Sequence, residues 1–166
     1  MFTIGDNGQS QHLVRRKSLE TIDGDDKNCQ NVYLSDTAPD ASVKFLPQAA
    51  APPDTIAIDM PAIDTPSLPY QTGQLHPSYG IVEAGRALRV RNDSKHPEIR
   101  WWKLIHIRSN ADYHEVHIMY HLSDASTPLY LGTVEGRPTL TVAPRAWYIS
   151  TSAEIPPMSW RLPPLP

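Results

Sequence analysis

The sequence predicts an all-β protein: a small antiparallel sandwich or barrel-like domain of five to six strands in the C-terminal half, preceded by a disordered Pro-rich arm. Three observations carry this. Apolar and polar residues alternate with period two from Tyr79 onward. Clusters of turn-forming residues interrupt that alternation at intervals of roughly 8–12 residues. Proline and aromatic residues are segregated along the chain.

The elements follow in order. In GRALRVR, Leu88 and Val90 share one face and Arg89 and Arg91 the other. Residues 91–97 (RNDSKHP) are turn chemistry. EIRWWKLIHIR then places Ile99, Trp101, Ile105 and Ile107 on one face and Arg100, Trp102, Leu104, His106 and Arg108 on the other, so at most one of Trp101 and Trp102 is expected in the core. SNAD is a second turn. DYHEVHIMYHL alternates strictly, with Val116, Ile118, Tyr120 and Leu122 on one side. SDASTP is a third turn, LYLGTV and TLTV are further strands, and AWYIS closes the pattern. The best helix candidate surrounds QHLVRRKSLE and lacks a clear partner face.

Composition divides the chain. Of 17 prolines none lies in residues 1–38, eight lie between Pro39 and Pro77, and five lie in the last eleven positions. Residues 1–80 carry five Lys/Arg against ten Asp/Glu, and residues 81–166 carry ten against eight. Residues 1–78 therefore read as an acidic, Pro-rich, largely disordered arm, too poor in aromatic residues to offset the entropy of ordering it. Residues 79–152 read as the β-rich domain and 153–166 as a Pro-rich tail. Ile56, Ile58 and Met60 alternate within the arm and suit either unstructured chain or a strand that pairs with the domain or with another copy. A lone Cys29 excludes an internal disulfide framework and a cysteine-only zinc site. The lack of an apolar leader or a membrane-length apolar run predicts a cytoplasmic or virion-associated protein.

Four constellations carry chemistry. His114, His117 and His121 would line one face of a helix and grip zinc. On a strand, His117 and His121 lie roughly 13 Å apart, too far for one ion, so strict alternation predicts no metal site and no cofactor. The stretch from Arg86 to Arg108 has seven basic residues against two acidic ones. Arg86, Arg89, Arg91, Lys95, Arg100, Trp102, Lys103, His106 and Arg108 form the candidate surface for single-stranded nucleic acid or an anionic membrane, because cations track phosphates and flat rings stack on bases. The terminal Arg161, Leu162, Pro163, Pro164, Leu165 and Pro166 favour polyproline II geometry. PPLP resembles the ligands of one class of WW domains, and RLPPLP resembles an SH3 ligand core whose basic residue stands one position too close to the proline pair. Arg15 to Ser18 (RRKS) matches a basophilic kinase site at Ser18.

No nucleophile elbow, phosphate loop or dinucleotide glycine pattern is present, which argues against an enzyme. A metal-dependent or hydrolytic enzyme on the His-rich strand is the third reading. A nucleic-acid-binding β module is the second. The first is a non-enzymatic structural protein that self-associates into a homo-oligomer and contacts nucleoprotein or membrane. In layout, not in sequence, it is similar to small matrix-type and other structural proteins of viruses, which join a flexible arm to a compact domain.

Overall fold

The computed structural model describes residues 4–6, 8, 11–15, 29–37, 43–46, 51–61, 72–77, 82–91, 97–123, 128–134, 137–142 and 158–162. The fold is all-β and antiparallel, and part of it curls into a half-barrel. Among the described residues there is no α-helix, and Pro97–Ile99 forms a single turn of 3-10 helix. The strands are β1 (Gly5–Asp6), β2 (His12–Arg15), β3 (Cys29–Ser35), β4 (Lys44–Leu46), β5 (Ala57–Pro61), β6 (Thr72–Pro77), β7 (Leu88–Arg91), β8 (Trp102–Ser109), β9 (His114–Tyr120), β10 (Leu129–Val134), β11 (Arg137–Val142) and β12 (Trp160–Leu162).

Hydrogen bonding connects them in the order β11-β10-β9-β12-β1-β2-β3-β7-β6-β5-β4, with β8 on the other edge of β9. Strand β3 turns the corner. Its residues 32–35 pair with β2, and its residues 29–31 pair with β7. A bridge between Ile56 and Trp102 then joins the start of β5 to the start of β8. Between them lies one apolar core that includes Ile4, Leu13, Ile58, Leu75, Val90, Trp102, Ile118, Tyr120, Leu131 and Trp160.

Strand formation follows side-chain period where the sequence is regular. Val116, Ile118 and Tyr120 are buried on one face of β9, as their alternation requires. Leu122 is exposed because β9 ends at Tyr120. Phe45, Ile58, Leu75 and Val90 stand opposite one another across β4 to β7, a continuous apolar row. Pro61 and Pro77 are the last residues of β5 and β6, where a missing N–H is tolerated.

One feature differs from the sequence expectation. The segment around QHLVRRKSLE contributes a strand, β2, not a helix: Leu13 and Val14 are both buried between β1 and β3, and pairing on both sides outweighs local helix preference. Trp101 and Trp102 are both buried, but only Trp102 belongs to the apolar core, as expected. The 3-10 turn resets the phase, β8 starts at Trp102, and Trp101 lies outside its alternation. Trp102 stands opposite Tyr120 and is fully buried, whereas Leu104, Ile105 and Ile107 further along β8 are 36%, 38% and 42% exposed. Six strands come from residues 5–77, and three of them pair with later ones: β1 with β12, and β3 and β6 with β7. The alternation of Ile56, Ile58 and Met60 belongs to β5 and the bridge before it.

Candidate functional site

The feature of the fold that most invites a partner is β8. One edge pairs along its length with β9. On the other edge, Trp102 exchanges N–H and C=O with Ile56 at 2.9 Å in both directions. Among the described residues no strand continues that pairing past Trp102. Outward groups recur every second residue, so the N–H and C=O of Leu104 and His106 also point away from β9. Leu104, Ile105 and Ile107 are exposed apolar residues on this same strand. A sheet edge with free amides and apolar side chains on both faces is a template for strand addition.

A bulge shapes the far end of the hairpin. His106 opposes Val116, but Arg108 opposes Glu115 and Ser109 opposes His114, so Ile107 is the extra residue. Strict alternation would put Ser109 on the face opposite to His106. The bulge brings His106, Ser109 and His114 onto one face, where the Ser109 hydroxyl lies 2.5 Å from His106 Nε2 and 2.5 Å from His114 Nδ1.

The other face carries a charged row. Arg108, Glu115 and Arg161 stand side by side across β8, β9 and β12. The buried Glu115 carboxylate accepts from the Arg108 guanidinium and, at 2.7 Å, from the Ser159 hydroxyl. The Ser159 bond, the Arg108 bond and the nearby Arg charges hold its carboxyl below the usual carboxylate range, although burial opposes them. Arg161 lies 4.1 Å from the centre of the Tyr113 ring. Burial, then the Lys103 charge, lowers the His121 imidazole.

Of the nine residues of the predicted basic surface, the eight described ones lie on β7, on β8 and in the segments just before them. Arg86 pairs with Glu83 at 2.8 Å. Arg89 and Arg91 lie on β7, inside the sheet between β3 and β6. Arg91 is buried beside Gln74, which stands next to Asp59, and Arg100, also buried, donates to Gln74 Oε1 at 2.9 Å. Trp102 is fully buried, and its indole N–H donates to the Leu75 carbonyl at 3.0 Å. Lys103, His106 and Arg108 follow one another along β8, and His106 and Arg108 are exposed. Lys95 and Ser18 lie outside the described residues. Of the terminal motif, Arg161 and Leu162 are built into β12, with Leu162 buried, while Pro163, Pro164, Leu165 and Pro166 lie outside the described residues. His114 and His117 are on β9 with a strand's geometry, on opposite faces, and His121 follows its end. Among the described residues no group of three or more His, Cys, Asp or Glu side chains is placed to hold a metal ion.

Comparison of the chain with protein-family models, curated proteins and solved structures returns no match. Sequence reasoning set Ile105 and Ile107 on one face of a strand and read Ser109 only as part of the SNAD turn. The signal for an edge strand was available in the run of apolar residues on both faces of LIHI. The bulge had none.

Proposed function

We propose that the chain is a non-enzymatic structural protein that assembles by pairing β8 with β8 of a second copy. The finer form of this reading is a viral matrix-type protein that contacts nucleoprotein or membrane. The observation that supports it is the outer edge of β8, unpaired past Trp102 among the described residues, with Leu104, Ile105 and Ile107 exposed.

The strand suits its own copy. An antiparallel pairing centred on Ile105 sets Leu104 against His106 twice, which joins the outward amides into four backbone hydrogen bonds. Ile105 then faces Ile105, and Lys103 faces Ile107, so no cation opposes a cation. The bulge after His106 bends the strand. It carries Arg108 of the second copy away from the place opposite Trp102 that Ile56 already holds. The contact is small, so association is concentration-dependent.

The test is the mass of the full chain by light scattering across concentration and salt. Mass should rise with concentration and change little with salt. Leu104→Pro removes an outward N–H that β9 does not use, and Ile105→Lys places like charges face to face; both should hold the chain at one copy. A chain that stays monomeric, a mass that collapses with salt, or variants that still associate would overturn the reading.

A further inference from the structure

We propose that His106, Ser109 and His114 form a binding site for one divalent transition-metal ion of the copper(II) or zinc(II) class. The argument is independent of self-association.

Two imidazole nitrogens, His106 Nε2 and His114 Nδ1, converge on one point from neighbouring strands. Each lies 2.5 Å from the Ser109 oxygen, so they are at most about 5 Å apart. A hydroxyl has one proton. It can donate to one of these nitrogens only, so the other ring must donate to the oxygen. An ion removes that asymmetry, since both neutral rings then present a lone pair to the same centre. Metal–imidazole bonds are roughly 2.0–2.1 Å, so each ring moves inward by a few tenths of an ångström as the hydroxyl turns aside or becomes a third ligand. The rings are 6.0 Å apart and inclined at 65°, edge to face, which leaves room for an ion between their nitrogens.

The bulge is what builds the site. With Ile107 looped out, Ser109 opposes His114 on the face of His106; in a regular ladder Arg108 would stand there and set a cation against the ion. Arg108 instead points to the opposite face, bound to Glu115. Imidazole donors favour copper and zinc over magnesium or calcium, and copper over zinc. Two nitrogens and one oxygen leave positions for water or a further ligand.

The experiment titrates untagged, chelator-stripped full-length protein with copper(II) chloride and with zinc(II) chloride by calorimetry. Electron paramagnetic resonance of the copper form counts nitrogen ligands. One equivalent should bind near neutral pH, with two nitrogens on copper. His106→Ala and His114→Ala should each weaken binding at least about tenfold. His117→Ala, on the opposite face of β9, should leave it unchanged. No saturable binding, a nitrogen count that survives either histidine variant, or equal loss in His117→Ala would overturn the assignment.

Discussion

Replacing Trp102 by phenylalanine separates a structural tryptophan from a ligand-stacking one. Trp102 is fully buried, donates its indole N–H to the Leu75 carbonyl, and meets the Tyr120 ring edge-on at a centroid distance of 5.0 Å. Its backbone holds Ile56. One residue thus ties β8 to β9, to β6 and to the start of β5. The smaller ring leaves the Leu75 carbonyl without its partner, which costs about 1–3 kcal/mol. It also leaves a void and loses part of the ring contact, about 1 kcal/mol more. Urea unfolding should therefore show a loss of about 2–4 kcal/mol with an unchanged slope. A stacking platform would behave in the opposite way, weakening oligonucleotide binding at constant stability. A stability loss under about 0.5 kcal/mol would refute the reasoning, because the buried bond and the packing would then carry no weight.

Two further outcomes follow from buried ionisable groups. The Glu115 carboxyl is held below its ordinary 4.5, so the stability it contributes is present above that value and is lost as pH falls through its lowered folded value; Glu115→Gln should flatten acid unfolding in that window and cost about 1–2 kcal/mol at neutral pH. A variant with the wild-type acid profile would count against the Ser159–Glu115 bond as a tie between β12 and β9. Burial, and then the negative charge of Glu98, pushes the Tyr120 phenol far above its ordinary 10 while its hydroxyl donates to the Ile99 carbonyl at 2.9 Å. Its contribution is full below pH 10 and is lost as pH rises towards the folded value, so an absorbance titration should find one tyrosine neutral beyond the others until the chain unfolds, and Tyr120→Phe should abolish that late step.

The all-β class and strand β9 were legible because period-two burial is a local signal, and Val116, Ile118 and Tyr120 repeat it without interruption. The phase of β8 was not. EIRWWKLIHIR has large apolar residues at both parities, and only the 3-10 turn at Pro97–Ile99 decides which parity faces inward. The described members of the basic stretch are spread over β7, β8 and the segments just before them; β7 and β8 are not neighbours in the strand order, so closeness in sequence does not carry over to the sheet. Arg91 and Arg100, adjacent to turn residues in sequence, end up buried beside Gln74. Before residue 78, β1 and β2 are short and β4 to β6 lie among prolines, so those windows show too little alternation, although Ile58, Met60 and Leu75 become core. A bulge adds one residue without changing composition, and so the convergence of His106, Ser109 and His114 had no sequence mark.

The placement of β12 has a consequence for synthesis. It sits between β9 and β1 in the strand order and joins Gly5 to Arg161. Its Trp160 fills the core and donates to the Leu131 carbonyl at 2.9 Å. A nascent chain still threaded through the ribosome at residue 160 lacks the strand that joins its first segment to its middle. Both neighbouring edges then stand open until β12 emerges. Long-range closure of this kind comes late and is slow. Truncation just before Met158 should therefore yield a chain held by chaperones or lost to aggregation, not a smaller version of the same sheet.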